Sequence, residues 1–96
     1  MATYIVTYDL NNETVRPPIV NAIKKLGPWA RLSESSYGVV SSSTPEAIYD
    51  VLKKHLDSDD QLYVITLNHP YFGQGSKVVN DWLEKQTDLF VVAVED

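Results

Sequence analysis

The run Thr3-Tyr4-Ile5-Val6-Thr7-Tyr8-Asp9-Leu10 constrains this chain more than any other stretch. It is dense in β-branched and aromatic residues, the composition of a strand. Its alternation puts Tyr4, Val6 and Tyr8 on one side of an extended backbone and Ile5, Thr7 and Asp9 on the other. The strand ends on a carboxylate, followed by the polar loop Asn11-Asn12-Glu13. Two readings of Asp9 stand at this point. A strand end fixes a side chain beside a loop with room for a ligand, which is where binding and catalytic groups tend to sit. Asp is equally favoured at strand ends because its oxygens accept from nearby backbone N–H groups.

A helix follows, opened by Pro17 and Pro18, whose missing N–H groups cost nothing in a first turn. Ile19, Ala22, Ile23 and Leu26 recur at three- and four-residue spacing and form one apolar stripe. Gly27-Pro28 ends it, Gly as a left-handed C-cap and Pro as a block. Lys24 and Lys25 fall in the last turn, where they complement the helix dipole. Trp29-Ala30-Arg31-Leu32 and Tyr37-Gly38-Val39-Val40 then return to period two around Ser33-Glu34-Ser35-Ser36, a hairpin. The serines are turn formers; as an alternative, their hydroxyls help to orient a ligand at Asp9.

Thr44-Pro45-Glu46 marks a second helix start: a hydroxyl cap, a proline and an acid in the first turn. Ile48, Val51, Leu52, His55 and Leu56 form its apolar stripe. His55 stands alone, with no second His or acid at ligand spacing. Asp57-Ser58-Asp59-Asp60 lacks the glycine and distal glutamate of a calcium loop and reads as a solvated turn. Gln61 to Asn68 is strand-like and apolar on both faces, which predicts cover by helices on one side and by a partner or tail on the other. Gly73-Gln74-Gly75-Ser76-Lys77 has the wrong spacing for a phosphate-cradling loop, so Ser76 is read as the cap of a third helix. In that helix Val78, Val79, Trp82 and Leu83 form the stripe, and Lys77, Asp81 and Lys85 face solvent. Leu89-Phe90-Val91-Val92-Ala93-Val94 has strand composition, and such a strand must pair in the sheet or across a dimer contact.

Strand-helix-strand taken twice predicts an α+β, ferredoxin-like (βαββαβ) antiparallel sheet with two helices on one face, plus a C-terminal helix and strand. Residues 1–68 are expected to form the core, and residues 69–96 an extension packed on the core or on a dimer partner. The free sheet face, rich in Tyr and Val, points to a two-fold homodimer.

At 96 residues the chain is long enough for one core. It has no cysteine, hence no disulfide and no thiolate metal site, which fits a reducing compartment. No apolar run approaches the roughly 20 residues of a bilayer span, and Met1 to Tyr8 lacks the pattern of a signal peptide. A cytoplasmic protein with no membrane contact is the expectation. Thirteen acidic residues against eight basic ones give a net charge of −5, a mean field that repels phosphate backbones unless a basic patch or a bridging cation offsets it.

Several short motifs, in this order and spacing, resemble the second CRISPR-associated protein family and its SinR-like relatives outside CRISPR loci. They are Tyr4-Ile5-Val6-Thr7-Tyr8-Asp9, Leu26-Gly27, Leu32-Ser33-Glu34-Ser35-Ser36-Tyr37 and the strand Asp59-Asp60-Gln61-Leu62-Tyr63-Val64. The SinR-like members also share the Lys77-Val78-Val79-Asn80-Asp81-Trp82-Leu83 helix. The resemblance implies a ferredoxin-like homodimer and, as in members with reported activity, magnesium-dependent cleavage of RNA or DNA. It carries a catalytic and metal-binding role to Asp9. In a dimer, two Asp9 carboxylates would meet over one Mg2+ ion, which takes oxygen ligands and retains waters. Basic residues near the Asp are usual in the family, whereas here Arg16 and Arg31 alone are candidates for nucleic-acid contact. The alternative is a non-catalytic dimer, an adaptor or scaffold for a protein or nucleic-acid partner, with Asp9 capping its loop.

Overall fold

A computed structural model describes the backbone of residues 1–11 and 16–95 and the side chains of residues 1–11 and 17–86. The elements are β1 (Ala2–Asp9), α1 (Arg16–Lys24), β2 (Trp29–Ser33), β3 (Ser36–Ser41), α2 (Pro45–Leu52) with a 3₁₀ turn (Lys53–His55), β4 (Gln61–Thr66) and α3 (Lys77–Glu95). The sheet order is β2-β3-β1-β4, every neighbouring pair antiparallel. This is the ferredoxin-like α+β arrangement, with β1 and β3 central and β2 and β4 at the edges.

The period-two pattern of β1 sorts its side chains as expected. Tyr4, Val6 and Tyr8 are buried on one face together with Tyr37 and Val39 of β3 and Leu62 of β4. The stripes of α1 and α2 close over them, and Ile19, Ile23, Ile48 and Leu52 are fully buried. The two buried tyrosines of β1 satisfy their hydroxyls on backbone carbonyls, Tyr4 on Ser43 at 2.8 Å and Tyr8 on Glu34 at 3.0 Å. An aromatic ring thereby fills the core without stranding a polar atom. Thr44 caps α2 as the sequence predicts, its Oγ1 accepting from Ala47 N at 3.1 Å.

The opposite face is different. In the register Ile5 pairs with Gly38 on one side and Ile65 on the other, and Gly38 pairs with Ala30, so these four residues share this face. Helix α3 lies against its β2–β3 half. A Cβ built on Gly38 would stand 2.7 Å from the Trp82 ring, so the glycine is what lets the indole seat on the sheet. The β4 half stays open, with Tyr63 63% and Ile65 53% exposed. Cover of β4 on both faces, predicted from its composition, is therefore not supplied by the tail among the described residues.

Three other expectations are corrected. Leu89 to Val94 continue α3 rather than forming a strand. No Gly or Pro interrupts the chain between Lys77 and Val94, and valine costs a running helix only a few tenths of a kcal/mol per residue. Val51 and Val78 sit on the predicted stripes of α2 and α3 but are exposed, because each stripe is wider than the surface it covers. Gly27 is not a left-handed cap. Its φ is 159°, and a Cβ there would lie 2.0 Å from the Val40 carbonyl oxygen. The position needs glycine because two backbones touch, where Val40 N donates to Pro28 O at 2.9 Å.

Candidate functional site at the end of β1

Asp9 occupies the last position of a central strand, its backbone registered against Gln61 of β4. The residues on either side hold it in place. Tyr8 N donates to Ser35 O at 2.9 Å, and its hydroxyl bonds the same hairpin turn, while Leu10 turns back into the core at 7% exposure. The next residue is tied twice to the turn before β4: Asn11 N donates to Asp60 Oδ1 at 2.9 Å, and Asn11 Nδ2 to Asp59 O at 3.0 Å. Asp60 Oδ2 accepts from Asp57 N at 2.8 Å. One carboxylate thus closes the Asp57–Asp60 turn and fastens it to the end of β1.

That carboxylate is Asp60, not Asp9. The local backbone capping that sequence offers as one account of Asp9 is carried out by Asp60, with one oxygen on each of two N–H groups. The Asp9 side chain is exposed and has no hydrogen-bond or ion-pair partner among the described residues. Its backbone is rigidly placed and its carboxylate is unspent, the combination a binding group requires. The hairpin serines do not reach toward it. Ser33 Oγ and Ser36 Oγ bond each other at 2.6 Å, and Ser35 N donates to Ser33 Oγ at 3.3 Å, so the hydroxyls serve the turn.

A hard divalent cation is satisfied by one or two carboxylates and several waters. The free Asp9 carboxylate fits such a ligand, but it is a single group. Among the described residues no three His, Cys, Asp or Glu side chains converge on a point that could hold a metal.

The remaining candidates are scattered. Arg31 pairs with Tyr37 and through it with Val6, which puts it on the helix-covered face, opposite to Asp9, on an edge strand. Its Nε donates to Ser33 O at 3.3 Å. Arg16 is the first residue of α1, and its side chain lies outside the described residues. His55 is half-buried in the 3₁₀ turn. The Gly73–Lys77 segment is a helix start, with Val79 N donating to Ser76 Oγ at 3.3 Å and Lys77 paired with Asp81 at 2.6 Å.

Two features were invisible in the sequence. One is the division of labour between Asp9 and Asp60, which depends on Asn11 meeting a turn 49 positions away. The other is an open cleft of about 630 Å³ between the uncovered sheet face, the 69–76 loop and α3, with Ile5, Leu67, Tyr71 and Leu83 among its walls. It forms only because α3 packs across the sheet.

The chain matches no protein-family model and no curated protein. Among solved structures it is similar to the crystal structure of a hypothetical protein, TT1823, from Thermus thermophilus, with a TM-score of 0.62 and 23% identity. The match covers 78% of this chain and 94% of that one. At that identity the likeness is one of fold. No helix among the described residues is long and apolar enough to cross a membrane.

Proposed function

We propose that the protein is a two-fold homodimer in which Asp9 of each protomer contributes to one magnesium site, and that it cleaves phosphodiester bonds in RNA or DNA. The reading is supported chiefly by the free Asp9 carboxylate, fixed at the end of a central strand while Asp60 does the structural bonding beside it. The motif resemblance to the second CRISPR-associated protein family points the same way, as does the open apolar half of the sheet, where Tyr63 and Ile65 need cover. When bound, magnesium would supply an acidified water and offset charge on the phosphate oxygens. The protein's own part is to hold two carboxylates at a set separation, which the Tyr8 and Asn11 anchors do by fixing the backbone on both sides of Asp9. Of the two arginines expected to contact nucleic acid, Arg16 is the proposed contact to substrate phosphates, since Arg31 lies on the sheet face opposite to Asp9. The lack of cysteine fits a cytoplasmic location.

A second reading, a non-catalytic dimer that serves as an adaptor, is favoured by one observation: no three His, Cys, Asp or Glu side chains converge on one point among the described residues. Labelled RNA and duplex DNA incubated with and without magnesium, beside an Asp9→Ala variant, separate the two. Magnesium-dependent cleavage lost in the variant supports the enzyme. Equal backgrounds in both proteins leave the adaptor.

A further inference from the structure

The charge of this chain is unevenly spread. Between residues 14 and 45 there are four basic side chains, Arg16, Lys24, Lys25 and Arg31, against one acid, Glu34; elsewhere four bases face twelve acids. Pairing follows the same division in part, since Lys54 and Lys85 also lack a carboxylate partner among the described residues. Lys53 lies 3.1 Å from Asp50, which by hydrogen bond and by charge raises the lysine's pKa, and Lys77 is paired with Asp81. Lys24, Lys25 and Arg31 are exposed and have no carboxylate partner among the described residues. Trp29, 42% exposed on the edge strand β2, has the Lys24 ammonium 4.4 Å above its ring. The buried Tyr37 braces the indole at 6.0 Å and a 58° tilt. Arg31 is two residues along the same strand and therefore on the same face.

We infer that this edge, Trp29 flanked by Lys24, Lys25 and Arg31, binds single-stranded nucleic acid. A braced, half-exposed indole is a stacking platform for a base, and flanking cations without internal counterions are available to successive phosphates. Duplex binding would draw mainly on charge, and three cations are few against the repulsion of a chain carrying −5 overall. A single strand adds stacking, which does not depend on net charge. As the strand arrives, the Lys24 ammonium moves from the ring to a phosphate and leaves the π-face to a base. The site lies on the helix-covered side of the sheet, away from Asp9, and does not depend on cleavage.

The test is a titration of the full chain with short labelled oligothymidylate or oligouridylate, in low salt with a chelator present so that no phosphodiester is cut. Binding of either strand is expected, with quenching of Trp29 fluorescence retained in a Trp82→Phe background. Trp29→Ala should weaken it about tenfold and Trp29→Phe much less, since any aromatic face stacks. Lys24→Ala and Arg31→Ala should each reduce the slope of log affinity against log salt by about 0.7. Asp9→Ala should bind like the parent protein, so cleavage can fail while this site stands. No binding of either strand, equal affinity for polyglutamate through the same side chains, or an unchanged affinity in a folded Trp29→Ala variant overturns the inference.

Discussion

The two faces of the sheet are built from the same strands and have opposite fates. On one, Val6 and Val39 are fully buried under α1 and α2, and the hydroxyls of Tyr4 and Tyr8 are bonded to backbone carbonyls. On the other, α3 seats Trp82 on Gly38 and stops short of Tyr63 and Ile65. The first face carries the stability of the fold and the second carries its open surface, so the apolar side chains of β4 serve the core or stay exposed according to parity along the strand.

The contrast can be broken most forcefully in the core. Ile48→Ala, under α2, should cost about 2–5 kcal/mol in urea unfolding, since it removes fully buried methyl groups and leaves a cavity. Ile65→Ala in dilute monomer should stay within about 0.5 kcal/mol, as exposed positions do. A cost at Ile65 that grows with protein concentration would show that a second copy covers this face.

The boundary between the covered and open halves is sharpened at Gly38. Gly38→Val pushes into the Trp82 ring and should destabilise by about 1–3 kcal/mol, with a red shift of Trp82 emission. If α3 did not pack there, valine in a strand would be neutral or favourable.

The end of β1 repeats the contrast on a small scale. Asp60→Ala strips the acceptor from two backbone N–H groups and should cost about 1–2 kcal/mol, whereas Asp9→Ala should shift the urea midpoint within about 0.5 kcal/mol. Equal costs would mean that Asp9 also has a structural task. Smallest of the expected losses is the cap of α2, where Thr44→Ala should cost about 1 kcal/mol, read from the same transition.

Most of the fold was legible because local signals agreed with the global arrangement. Tyr4-Val6-Tyr8 showed the buried side of β1, Thr44-Pro45 opened α2, and Ser76 opened α3 as expected. What escaped reading depended on contacts distant in sequence. The strand composition of Leu89 to Val94 was overridden by a helix that nothing interrupts. Gly27 looked like a cap, yet its reason is the Val40 carbonyl, which no local pattern reveals. For the site, sequence singled out Asp9 but left it with two roles. The backbone capping there falls to Asp60, a residue that reads as part of a solvated acidic turn until Asn11 is seen to bond it.

Because the chain contains no cysteine, Asp9→Cys introduces a single thiol, and a short bifunctional thiol cross-linker then measures whether position 9 meets its own copy. A two-fold meeting of the β1 ends predicts a covalent dimer from Asp9→Cys at concentrations where Asp57→Cys, in the solvated turn, stays monomeric on the same gel. Cross-linking that is absent at position 9, or no faster there than at position 57, would contradict it.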